Sequence, residues 1–286
     1  MEIKLIFAYL ILLFGIMYAI IILKKGIKKG KLIGEGNFIS YAISEFIVYF
    51  FGAMGFPDFL LNMPIFKKFK WVEDKYIPDT LMSTSIVPGA VIAFLYLVNS
   101  SNPDMKTLIP CLIAIVVGSY VGAGFLLKVD GKRMNDIMLL ALSFSMIALV
   151  ARLIVSNGDI GISETLPISK ILIAVPLIFS FGFMNPFGVP MKPPSSALFL
   201  LLGLSPKTTL TNMLVLGSGS TISSCFKIIK AERYNKKLSI ASVIFGTIGG
   251  VVGYMFMINI SQTVLTIILL LIILIAIVQN IKKREK

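Results

Sequence analysis

The chain has 286 residues, of which 57% are hydrophobic and 14% charged, against roughly 45–50% and 25% in ordinary globular domains. That balance excludes a soluble domain and places most of the chain in lipid. The formal net charge of +13 comes from lysines in short clusters at the ends of apolar blocks, a pattern of juxtamembrane orientation signals that argues against nucleic-acid binding.

The first apolar block, 5–23, runs into Lys24 and Lys25 without a small-residue cleavage site. It is longer than a signal-peptide core, so it reads as a retained helix. Further apolar blocks at 80–98, 108–127, 137–154, 208–226, 238–257 and 264–278 approach the ~20 residues that cross a bilayer core. Two others, 36–66 and 168–204, are interrupted, the first by Gly55, Pro57 and Pro64, the second by Pro186, Gly188, Pro190, Pro193 and Pro194. Proline removes a backbone donor and clashes with the preceding turn, so neither block is one straight helix.

The positive-inside rule decides how these two blocks run. If each crosses the membrane once, the basic clusters scatter over both sides. If each enters and returns to its own side, the clusters at 24–31, 67–75, 128–133, 227–237 and 282–286 all become cytoplasmic and hold 21 of the 27 basic residues. The second topology is adopted, with the N-terminus outside and the C-terminus in the cytoplasm.

An internal repeat supports it. Pro78, Thr80 and Ser83 match Pro206, Thr208 and Thr211 at a spacing of 128 residues, with Gly89 and Gly217 at equal offset. Upstream, Phe51-Gly52 matches Phe181-Gly182, and downstream Gly118-x-x-x-Gly122 matches Gly246-x-x-x-Gly250. The expected fold is therefore an all-α polytopic membrane protein of two inverted repeats. Each is a broken re-entrant hairpin followed by three transmembrane helices, with an extra N-terminal helix before them. The boundaries are 1–33 for that helix and its basic loop, 34–156 for repeat 1 and 167–281 for repeat 2.

Inverted repeats with discontinuous helices are a recurrent design of secondary transporters, whose substrate lies where the broken helices meet. A helix that starts inside the membrane presents unpaired N–H groups and the positive end of its dipole, which favour an anion. The candidate substrate-binding residues are Gly55 and Pro57 at the first break and Asn185, Gly188, Lys192, Ser195 and Ser196 at the second. The polar rows that follow are Thr80, Ser83, Thr84 and Ser85 in the first copy and Thr208, Thr211, Asn212, Ser218 and Ser220 in the second; Thr80, Ser83, Thr208, Thr211 and Asn212 join the candidates. Lys192 is the notable member, because a buried ammonium calls for a carboxylate or an anionic substrate beside it, and Asp58 is the acid available for pairing. Glu45, on the entering arm, is a second intramembrane acid, placed to carry a proton, and Asp58 and Glu45 are the candidate coupling residues. Blander readings stand beside these: Lys192 snorkelling to an interface, Glu45 solvated near one, and hydroxyls bonded back to their own helices.

Catalysis finds no support. The chain has no histidine, its two cysteines, Cys111 and Cys225, stand apart in predicted spans, and it carries no Gly-rich phosphate loop. No enzyme activity, cofactor or metal is expected.

These features resemble the sulfite exporter TauE/SafE family, also described as sulfonate uptake permeases. The resemblance covers about 40–278 and rests on the two-fold repeat, on a broken segment followed by Pro78-x-Thr80-x-x-Ser83 or by Pro206-x-Thr208-x-x-Thr211-Asn212, and on the glycine-rich Gly122-Ala123-Gly124. The breaks depart from the family's run of glycines before a proline. The resemblance implies movement of a small sulfur-containing anion such as sulfite or an organosulfonate across the cell membrane; the expected driving force is a proton or sodium gradient or the substrate's own gradient. On the residues alone, a carboxylate or cation transporter using Asp58 and Glu45 stays open. So does a non-transporting scaffold or subunit, and a homo-oligomer is compatible with either.

Overall fold

The computed structural model describes residues 2–27, 36–99, 105–129 and 163–256, together with the isolated positions 136, 143, 147 and 150. The expected spans at 137–154 and 264–278 lie outside the described residues.

Helix α1 (Glu2–Ile27) turns two faces to different surroundings. Ala8, Ile11, Tyr18 and Ile22 are buried, whereas Ile3, Ile6, Leu10, Leu13 and Ile20 stay exposed at helical spacing, the stripe of a lipid-facing helix. The block 36–66 divides as expected into α2 (Phe38–Ala53) and α3 (Asp58–Lys68). Gly55 makes the turn between them at φ +93°, a left-handed conformation that a Cβ would strain. Tyr96 donates its hydroxyl to the Ala53 carbonyl at 2.7 Å, satisfying one of the acceptors that a helix end leaves free. Tyr41 at the start of α2 lies edge-on against Trp71, just past α3, with ring centroids 4.8 Å apart.

Helices α4 (Ile77–Asn99) and α5 (Met105–Leu126) follow. The second broken block gives α6 (Ile168–Met184), a 3-10 turn Asn185–Phe187, and α7 (Lys192–Leu201). Gly188 ends the turn at φ +89°. Here too the two arms meet at their far ends, where Lys170 Nζ donates to the Leu202 carbonyl at 2.6 Å and Ser163 forms an isolated bridge with Leu204. Helix α8 (Pro206–Ala231) and helix α9 (Lys236–Phe256), interrupted by the π turn Ser242–Gly246, complete the described chain.

Among the described residues five helices are long and apolar enough to cross a membrane: α1, α4, α5, α6 with its 3-10 turn, and α9. The span expected at 208–226 lies within α8, which has 26 residues and is rich in Ser, Thr and Gly. Its polarity follows from its place, because it is buried along most of its length by other helices rather than by lipid.

Close backbone approach is built on glycine at two matching contacts. A Cβ on Gly118 or Gly122 of α5 would lie 2.3 or 2.1 Å from the carbonyl oxygens of Phe179 and Phe183 on α6. A Cβ on Gly249 or Gly253 of α9 would lie 2.2 or 2.1 Å from those of Phe46 and Phe50 on α2. The contact on α9 thus uses Gly249 and Gly253, not the Gly246 and Gly250 paired in the sequence. Those two turn toward side chains, Gly246 to Tyr49 and Gly250 to Ile92. Three residues of helix rotate the face by most of a turn, so packing selects one of two overlapping glycine frames.

Among the described residues, members of the clusters at 24–31 and 227–237 meet at one end of the bundle, beside the end of α5 and the loop after α3. Lys25 pairs with Glu232 at 2.7 Å, Glu232 with Lys236 at 2.8 Å, and Arg233 donates to the Leu127 carbonyl at 3.0 Å. Lys236 and Lys25 together hold the Glu232 carboxyl down to about 2. Asn235 caps α9 and donates to the Trp71 carbonyl at 3.0 Å. Asp79, not singled out in the sequence, is fully buried there, with Arg233 Nη2 3.5 Å from its carboxylate. Arg233→Ala leaves that carboxylate buried without a cation, so it is expected to destabilise the protein by about 3 kcal/mol. Adding Asp79→Asn is expected to recover much of the loss, read by thermal unfolding in detergent.

Candidate functional site

The two breaks face each other across a narrow cavity between α2, α3, α4, α7 and α8. Lys192 is the first residue of α7, and Pro193 and Pro194 follow it in the first turn, where their missing N–H groups cost nothing and their fixed φ suits the helix. The short helix thus starts within the protein core and carries its ammonium on the end where unpaired N–H groups gather. Asp58 opens α3 in the same way after Pro57. The two charges meet, with Lys192 Nζ 2.6 Å from Asp58 Oδ1, and their side chains are only 14% and 7% exposed.

The other carboxylate oxygen of Asp58 accepts from Ser85 and faces the Tyr49 hydroxyl at 3.5 Å. Tyr49 and Ser85 also share a hydrogen bond of 2.9 Å. Lysine, aspartate, serine and tyrosine from four helices therefore form one connected network on the cavity wall. Two neutral positions shape the remainder. A Cβ on Gly89 would meet open space, and one on Gly217 would meet Lys192 Cε at 3.5 Å. Asn185 donates to Ser220 at 2.7 Å, and the Ser218 hydroxyl is buried without a hydrogen-bond partner.

Of the residues singled out in the sequence, Asp58, Asn185 and Lys192 line this cavity, as do Ser85 and Ser218 of the polar rows. The pairing of Asp58 with Lys192, suggested by the cost of a lone buried ammonium, is present. Gly55, Pro57 and Gly188 are at the turns and do not line it. Other hydroxyls are engaged elsewhere. Thr80 donates to the Tyr76 carbonyl, Ser83 to the Thr80 carbonyl, Ser196 to the Pro193 carbonyl and Thr211 to the Lys207 carbonyl, while Thr208 accepts from Ser205. Ser195 and Asn212 are buried near the breaks with their polar atoms unpaired. Glu45 is enclosed on α2 behind the cavity wall. Tyr49 was not anticipated, and its only signal was a polar atom within an apolar run.

An ammonium closed on a carboxylate, beside a helix start and flanked by hydroxyls, can release the carboxylate and take another anion of similar geometry. Among the described residues no group of three His, Cys, Asp or Glu side chains comes together to hold a metal.

Comparison with known proteins bears on the family. The family model described as sulfite exporter TauE/SafE matches residues 76–280, from the start of α4 through the second break, so that it includes Lys192 but not Asp58. No curated protein and no solved structure matches the chain. With more than half its length matched and its apolar helices of spanning length, this multi-pass membrane chain belongs to the sulfite exporter TauE/SafE family, whose members are transporters of sulfur anions rather than enzymes.

Proposed function

We propose that the protein is a secondary transporter that carries a small sulfur oxyanion, sulfite or an organosulfonate, by alternating access, with Lys192 as the charge that holds the substrate. The observation that carries this reading is the ion pair of Lys192 with Asp58 on the wall of a cavity between two helix breaks. An incoming oxyanion presents Lys192 with the same type of acceptor that Asp58 supplies, so substrate and Asp58 compete for one ammonium. The start of α7 and the hydroxyls of Ser85 and Ser218 lie where donors to the remaining oxygens are needed.

The organisation that serves this cycle is a pair of inverted units, 34–156 and 167–281, after the helix and basic loop of 1–33. The reciprocal glycine contacts favour it: α5 of the first unit lies on the entering arm of the second, and α9 of the second lies on that of the first. Rocking one unit against the other about the shared cavity exposes Lys192 alternately to the two sides. The joined basic clusters face the cytoplasm under the positive-inside rule, which leaves the N-terminus outside the cell membrane. Gly55, Pro57 and Gly188 shape the breaks, and Ser195, Thr208, Thr211 and Asn212 line the path that opens as the units move.

The test is flux of labelled sulfite into proteoliposomes with competing anions. Thiosulfate and small organosulfonates are expected to reduce the flux severalfold at equal concentration, and acetate to leave it unchanged. Equal competition by acetate favours a carboxylate carrier and removes the sulfur assignment.

A further inference from the structure

Behind the cavity wall, the first broken segment encloses a second polar group that the substrate path does not use. Glu45 is fully buried on α2, and neither of its carboxylate oxygens makes a hydrogen bond. Asn62 of α3 and Ser242, the first residue of the π turn in α9, lie against it. Asn62 is also fully buried, with both ends of its amide unpaired. Pro88 has no N–H to give the Thr84 carbonyl four residues before it. Ser242 fills that vacancy, donating its hydroxyl proton to the Thr84 oxygen at 2.7 Å, and its own oxygen lone pairs remain free. π turns are rare and gather at functional sites.

The unpaired atoms are thus mainly oxygens: two from Glu45, one from Asn62 and one from Ser242. Hard cations are held by oxygens of these types. The charged side chain that acts on Glu45 is Asp58, itself an acid and already closed on Lys192. A lone enclosed carboxylate without a cation is costly in a low-dielectric interior. One carboxylate balances one positive charge, and among the described residues no group of three His, Cys, Asp or Glu side chains comes together there to hold a divalent or transition metal.

We infer that Glu45, Asn62 and Ser242 form a binding site for a sodium ion, and that this ion is the one whose gradient drives the anion. The helices supply the linkage. Tyr49 follows Glu45 by one turn of α2, and Asn62 follows Asp58 by one turn of α3, so an ion that draws Glu45 and Asn62 together also sets the Tyr49 hydroxyl and the Asp58 carboxylate at the anion cavity. Such coupling is reciprocal, and a sulfur oxyanion tightens sodium by the factor by which sodium tightens it. The coupling half rests on the transporter reading above; the binding half does not.

The experiment uses the full chain in detergent, in sodium chloride or choline chloride of equal ionic strength. Sodium is expected to raise the unfolding temperature of the wild type by about 3 °C or more and to be retained as labelled sodium in equilibrium binding. Glu45→Gln, and independently Ser242→Ala, are expected to weaken sodium binding at least about tenfold. Should Glu45→Gln fail to fold, Ser242→Ala carries the comparison. Identical unfolding in the two salts with no sodium retained overturns the site. Sulfite uptake driven by a pH gradient in the absence of sodium overturns the coupling role alone. Sodium retained through Glu45 by a protein that moves no sulfite upholds the site and removes the transporter reading.

Discussion

Lys192→Ala is expected to lower sulfite flux in proteoliposomes by about two orders of magnitude or more, the scale of 2–5 kcal/mol attached to truncating one member of a buried, hydrogen-bonded charge pair. Among the described residues of the cavity the ammonium is the only charge that attracts an anion, since Asp58 repels one and the remaining described lining is neutral. The same substitution leaves Asp58 enclosed, bonded to Ser85 and facing Tyr49 but without its cation, so the protein also loses stability. A double variant separates the two effects. Asp58→Asn with Lys192→Gln removes both charges and is expected to unfold close to the wild-type temperature while carrying no sulfite. Flux that persists in the double variant assigns the pair a purely structural role.

The second large effect lies in packing. Gly122→Ala and Gly253→Ala each place a methyl group 2.1 Å from a backbone carbonyl oxygen, of Phe183 and of Phe50. Neither oxygen is the end of a flexible side chain, so α5 must move off α6, or α9 off α2, along the whole contact. The expected cost is about 3 kcal/mol, the upper end for overpacking, with a marked fall in folded protein recovered from membranes. Gly89→Ala is the control, because an added Cβ there meets open space. It is expected to fold at least as well as wild type, alanine being the better helix former by roughly 0.5–1 kcal/mol, and to reduce flux by narrowing the cavity. Normal recovery of both Gly122→Ala and Gly253→Ala contradicts the close contacts.

The Asp58–Lys192 pair was legible in the sequence because charges inside apolar blocks are expensive and therefore few; naming the pair needed only those two residues and the helix breaks. The breaks were legible for a similarly local reason, as prolines and glycines act on their own turn. What the sequence did not reveal depended on which way a helix face points. Gly246, Gly249, Gly250 and Gly253 contain two overlapping frames with the same spacing, and only the rotation of α9 against α2 selects the second. Tyr49 reads as one more aromatic residue of α2 until α4 brings Ser85 within 2.9 Å of its hydroxyl. The hydroxyls of Thr80 and Ser83 follow the periodicity of a lined path, yet their geometry satisfies carbonyls of their own helix. Asp79 carries no sequence signal of burial, since its enclosure comes from the approach of Arg233 across the bundle end.

The most direct measurement of the central claim is an experimental structure of the protein with selenite, an oxyanion of sulfite geometry whose selenium is located by anomalous scattering. The account predicts one selenium in the cavity between the two breaks, with an oxygen within about 3 Å of Lys192 Nζ and Asp58 displaced from the ammonium. Selenium bound at saturating selenite only outside that cavity, with the Asp58–Lys192 pair still closed, contradicts it.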